Sequence, residues 1–163
     1  MKPSSSAHMF YTDTKFDRTV RSPGGVPRDE AVARADAEIE ALRANFETWV
    51  DMALSEIVRI TKSLPKDSAD MPAIEALHRN SAYLLDVGTT MGFSLITFVA
   101  KNFCEVLEAM QNGATFRKAL IECHVGALQL ARQDRYRGLR LDQVADMTDG
   151  LRQLLRLTVE TRA

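Results

Sequence analysis

Helix breakers are scarce in this chain. Its 163 residues include only 5 prolines and 8 glycines, and several of these gather between Ser22 and Pro27. So few breakers favour long helices, and no stretch shows a convincing period-two alternation of the kind a half-buried strand needs. Cysteine is scarce as well. Cys104 and Cys123 fit neither a CxxC pair nor a metal-ligand spacing. Both fall in expected helices, where the ordinary state is a buried, reduced thiol, and a Cys104–Cys123 disulfide is the rarer alternative. Neither sign of charge dominates: 21 basic against 22 acidic side chains leave a formal charge of −1. No global attraction to nucleic acid or to an anionic membrane is expected. No apolar run approaches the roughly 20 residues of a membrane span, and the N-terminus lacks a basic-then-apolar leader. Cytoplasm is the expected compartment.

The chain does have the material of a soluble globular domain, 45% hydrophobic and 26% charged. Its length suits one domain with a sizeable core. Residues 1–28 are polar and aperiodic, with Ser4-Ser5-Ser6 and the Pro-Gly-Gly-Val-Pro run, and read as an irregular arm. Part of the "SSSAHM" stretch has the character of a tag remnant. Phe10, Tyr11 and Phe16 are candidates to tack the arm onto the domain of residues 29–163.

From Asp29 the pattern is helical. Ile39, Leu42, Phe46, Trp49, Ala53, Ile57 and Ile60 recur at three-and-four spacing and predict the buried stripe of a long first helix, with Trp49 in the core. Asp29 and Glu30 suit its first turn, and Pro65 ends it. A second helix is expected from Asp70, with Pro72 in its first turn and Ile74, Leu77, Ser81 and Leu84 inward. A turn over Gly88–Gly92 leads to a third helix that buries Leu95, Val99, Phe103, Val106 and Met110, and Asn112-Gly113 stops it. The fourth spans about Thr115 to Arg132, with Phe116, Leu120, Ile121, Val125 and Leu128 apolar. After "DRYRGLRLD" the last helix starts near Asp142 and buries Val144, Met147, Leu151, Leu154 and Leu155. The expectation is an all-α bundle.

At about 100° per residue, Ala82 points roughly 120° from the buried stripe of the second helix. Arg79, Tyr83 and Asp86 share that outward face, and His78 and Leu85 lie at the stripe's edge. Just beyond, Gly88-Thr89-Thr90-Met91-Gly92-Phe93-Ser94-Leu95 resembles the end of the motif of histidine-containing phosphotransfer (Hpt) proteins, in the variant HxxKGQGGTFGYPL. "EALRANFETWVDMALSEI" resembles that family's Phe-x-x-Trp first helix, "HVGALQLA" a segment of its later helix, and "SPGGVPRDEAVARADAEI" its lead-in. The similarity covers most of residues 17–131.

The resemblance implies an up-down four-helix bundle with an additional C-terminal helix; of the last two helices, we expect the fourth to close the bundle and the fifth to pack outside. It also implies a partner, a response-regulator receiver domain or hybrid kinase, that docks on helices two and three. Aligned on Gly92, the phosphorylated histidine's position falls at Ala82, the lysine's at Leu85 and the small glycine's at Asp86. Relay at this position needs an imidazole nitrogen to attack an acyl phosphate, and Ala82 carries no nucleophile. Leu85 supplies no balancing charge, and the Asp86 carboxylate opposes a phosphoryl dianion. The expectation is a non-enzymatic, phosphotransfer-incompetent docking protein, with His78, Arg79, Ala82, Tyr83, Leu85 and Asp86 as its partner-binding face and no cofactor or metal.

Two rival readings stay open. In one, His78, a helical turn before Ala82, accepts phosphate in an altered register. In the other, the chain is a structural module that forms a homodimer through the second helix. His124, beside Ile121 and Val125, reads as a hydrogen-bonded, semi-buried histidine, and His8 lies in the arm. Arg132, Arg135, Arg137 and Arg140, interspersed with Asp134 and Asp142, read as a solvated turn rather than a phosphate or nucleic-acid site. Gly88-x-x-x-Gly92 has no strand before it and no lysine after it, so it is no phosphate-cradling loop.

Overall fold

A computed structural model describes residues 24–160; the expected anchors Phe10, Tyr11 and Phe16, the tag-like stretch and His8 lie outside them. The regular structure of the described residues is all helical, without strands. It comprises α1 (Arg28–Ser63), α2 (Met71–Met91), α3 (Ser94–Gln111), α4 (Lys118–Ala131) and α5 (Ala145–Glu160), with short 3₁₀ turns at Asp134–Tyr136 and Leu141–Val144. Among them no helix is long and apolar enough to cross a membrane. The chain divides into two compact units, Met1–Ala41 and Leu42–Ala163.

In the second unit α3 is the central element, and α2, α4 and α5 all pack on it. Its Val99, Phe103, Val106 and Leu107 are fully buried, together with Ile57 of α1, Ile74 and Leu77 of α2, and Ile121 of α4. The expected inward residues of α2 and α3 are all buried. The last α-helix begins at Ala145 rather than near Asp142, and from it only Leu151 joins the buried apolar core; Met147, Leu154 and Leu155, with Val144 of the preceding 3₁₀ turn, pack against that core half-buried.

The first-helix stripe needs correction. Ala53, Ile57 and Ile60 are buried as expected, but Ile39, Leu42 and Trp49 are exposed, Trp49 by 43%. The core side of α1 runs instead through Val50, Ala53, Ile57, Ile60 and the following Leu64. Phe46 packs half-buried against that core and meets Trp49 edge-on, with centroids 5.1 Å apart. The choice between Trp49 and Val50 is a one-residue rotation of the stripe, and either keeps three-and-four spacing.

The ends of the helices follow their local chemistry. Asp70 caps α2, accepting from the Ala73 N–H at 3.2 Å, and Pro72 occupies the first turn, where no backbone donor is lost. α2 continues through Gly88 to Met91, so the expected Gly88–Gly92 turn is shorter than the glycines suggest. Only Gly92, at φ 71°, leaves the helix. The Phe93 N–H donates to the Gly88 carbonyl at 2.8 Å, which closes a Schellman cap. α4 starts at Lys118, three residues later than expected, and Lys118 Nζ donates to the Leu64 carbonyl beyond the end of α1 at 2.6 Å.

Candidate functional site

The α2–α3 hairpin places the outward face of α2 beside α3. Gly88 sits against Thr97, and His78 Nε2 lies 3.0 Å from Glu108 Oε1. Both pairs are nearly equidistant from the Gly92-Phe93 turn, as an antiparallel hairpin requires. In that register Ala82 falls level with Cys104. Ala82 is half-buried, Arg79, Tyr83 and Asp86 are exposed, and Leu85 is half-buried and packs against the core. Leu85 thus belongs to the scaffold as much as to the face.

The neighbouring electrostatics are acidic. Burial, reinforced by the carboxylates of Glu108, Glu105 and Asp86, pushes the Cys104 thiol up to about 11. Cys104 is therefore a protonated thiol at neutral pH and a poor nucleophile. The same three carboxylates mark this side of the hairpin as a poor place to accumulate further negative charge. His78, the alternative acceptor, has its Nε2 engaged by Glu108. Spacing along α2 alone did not disclose Glu108 as its partner; reflection of position 78 through the expected turn would have.

The remaining candidates are accounted for structurally. His124 is fully buried rather than semi-buried: its Nδ1–H donates to the Leu120 carbonyl at 2.7 Å, and its ring stacks on Phe103 at 5.3 Å. Its Nε2 lies 2.8 Å from Asn102 Oδ1; with Nδ1–H already on the Leu120 carbonyl, a neutral ring is satisfied here once the Asn102 amide is turned to present its NH₂. Burial lowers the pKa of His124, against a smaller rise from the Leu120 bond. Of the clustered arginines, Arg132 forms a two-point pair with Asp51 at 2.7 and 3.0 Å, and Arg137 bonds Glu47 at 2.6 Å, so both clamp the connector onto α1. Arg140 pairs with Asp142, and Arg135 lies 4.9 Å over the Tyr136 ring. Both cysteines are free, but Cys123 is exposed, contrary to the buried thiol expected there. Among the described residues no cluster of three or more His, Cys, Asp or Glu is arranged to hold a metal ion.

No family model, curated protein or solved structure matches the chain. The outward face of α2 therefore has to be read from its own chemistry: a small half-buried residue, an exposed phenol, one guanidinium and a carboxylate collar.

Proposed function

We propose that this chain is a phosphotransfer-incompetent, Hpt-like docking protein. In this reading α1 to α4 form an up-down four-helix bundle and α5 packs outside it. The outward face of α2 receives a response-regulator receiver domain or a hybrid kinase without relaying phosphate, so the protein sequesters or modulates its partner. The observation that carries the reading is Ala82: a residue with no nucleophile stands at the centre of a helical-hairpin face that keeps the glycine-capped turn of the motif it resembles. Arg79, Ala82 and Tyr83 offer a compact mixed surface of the kind an interface core uses.

The test is incubation of the full chain with a panel of phosphorylated receiver domains from the same organism, with both binding and acid-labile label followed. Binding without label is expected. Label at His78, lost in His78→Gln, replaces the reading with an active relay, and absence of binding to every receiver removes it.

A further inference from the structure

Between α4 and α5 the surface is hollow. α5 packs mainly on α3, and an open groove runs for about three turns between it and α4. On α4, Cys123, Gly126 and Leu130 line the groove; on α5, Met147, Gly150, Leu154 and Leu157 do. Both sets step by three and four residues, so each helix turns a continuous seam toward it. The large apolar members are not fully covered: Leu130, Met147 and Leu154 are half-buried, and Leu157 is exposed. An open apolar groove of this length marks a docking surface.

The two glycines show how closely an occupant can approach. Gly126 and Gly150 stand inside their helices, where glycine weakens a helix relative to alanine. Neither serves a left-handed turn. Neither is required by packing within the chain, because a Cβ at either position would meet nothing within 4 Å. Gly88, whose Cβ would collide with Thr97, is the contrasting case. The room left by the two absent side chains opens onto one groove, from both of its walls, and suits the close approach of another backbone.

Charge selects the occupant. The charged side chains that line the groove among the described residues are Glu122 and Asp146. Leu120 at the start of α4 shares a neighbouring hollow with Leu154 and Leu157 late in α5, so the two carboxylates lie toward opposite ends of the groove. Glu122 is 4.0 Å from Lys118 Nζ, whose closer bond is to the Leu64 carbonyl. Arg152 is turned away, over the Phe98 ring of α3, and Arg117 borders the neighbouring hollow. A second copy of this chain would set carboxylates against carboxylates here.

We propose that the α4–α5 groove binds an amphipathic helix of a partner protein, about three to four turns long, with large apolar side chains on one face and Lys or Arg flanking them. Its backbone lies against Gly126 and Gly150, and its cations reach Glu122 and Asp146. The groove lies on other helices than the α2 face, so this proposal and the docking reading stand or fall separately.

Cys123 is a native reporter. It is exposed in the groove, whereas Cys104, the one other cysteine of the chain, is buried. The probes are three synthetic helical peptides of about 15 residues: a Leu stripe flanked by Lys, the same stripe flanked by Glu, and Lys flanks with Ser in place of Leu. The first should bind the full chain and slow alkylation of Cys123 by iodoacetamide at least about fivefold. The Glu-flanked peptide should bind at least about tenfold more weakly, and the Ser peptide should not bind. The double variant Glu122→Gln/Asp146→Asn should erase the preference for Lys over Glu. Gly126→Ala and Gly150→Ala should each raise the urea midpoint and still weaken binding of the Lys-flanked peptide at least about tenfold, a combination that a purely structural glycine does not give. Failure of the Lys-flanked peptide to bind overturns the proposal, as does binding indifferent to both alanine variants. Equal binding of the two charged peptides overturns the assignment of a basic partner. A dimer in sedimentation equilibrium that Gly150→Leu abolishes gives the groove to a second copy and overturns the proposal in the same way.

Discussion

Gly88 of α2 lies so close to Thr97 of α3 that a Cβ on the glycine would stand 2.7 Å from Thr97 Oγ1 and 3.2 Å from the Thr97 backbone nitrogen. The hydroxyl can rotate away, but the backbone nitrogen can retreat only if α3 moves. Gly88→Ala should therefore destabilise the protein by about 1–3 kcal/mol despite the better helix propensity of alanine. Urea unfolding checks this; an unchanged or raised midpoint means that the hairpin can open without cost.

Gly92 is a different kind of glycine. It has open space around it but a φ of 71°, so Gly92→Ala carries a conformational penalty of about 1 kcal/mol without any clash. Gly92→Asn, which tolerates the left-handed region better, should recover part of that loss. If all three proteins unfold at the same urea concentration, the cap is not limiting.

The two aromatic-or-aliphatic choices on α1 separate cleanly in stability. Val50 is 1% exposed and Trp49 is 43% exposed. Val50→Ala should cost about 2 kcal/mol as a core cavity. Trp49→Ala should cost about 1 kcal/mol, mainly its edge-on contact with Phe46. Urea unfolding of the two variants measures this ordering, and the reverse ordering would return Trp49 to the core.

These residues also show how far the sequence could be read. Helices α2 and α3 were legible because caps, apolar period and breakers agree there: Asp70 and Pro72 open α2, and Asn112-Gly113 closes α3. α1 was harder because Phe46 can be followed inward by Trp49 or by Val50, and only packing against the other helices selects Val50. At the candidate site, the exposure of Arg79, Tyr83 and Asp86 follows from helical period alone. The half-burial of Leu85 and the His78–Glu108 pair depend on where α3 lies, which periodicity in α2 does not contain.

Buried His124 makes stability depend on pH. Burial lowers its folded-state pKa below the usual 6.5, so between the two values the unfolded chain binds the extra proton. The contribution of the neutral ring is complete above about pH 6.5 and is lost as pH falls below that value. Urea unfolding at pH 8 and pH 5.5 should show lower stability at the acid end, and His124→Gln should flatten the slope. Equal slopes in the two proteins would assign the acid sensitivity elsewhere.

The last prediction asks whether the α2 face can be given the chemistry of the motif it resembles. Ala82→His supplies an imidazole level with Cys104, Leu85→Lys supplies an ammonium one turn on, and Asp86→Gly removes a carboxylate and opens space for an approaching partner. Two opposing carboxylates, Glu105 and Glu108, remain in the surroundings of Cys104. Like charge near a phosphoryl group is unfavourable, so the triple variant should accept acid-labile phosphate from a receiver domain only slowly. Adding Glu108→Gln should raise the labelling rate several-fold. Tyr83→Ala in the same background should weaken receiver binding by about 1–2 kcal/mol while leaving helicity intact, because the phenol is exposed. A folded triple variant that binds the receiver and stays unlabelled, with or without Glu108, would show that this face holds its partner in an orientation unsuited to transfer. Failure of that variant and of the natural chain to bind any receiver would remove the docking reading together with its chemistry.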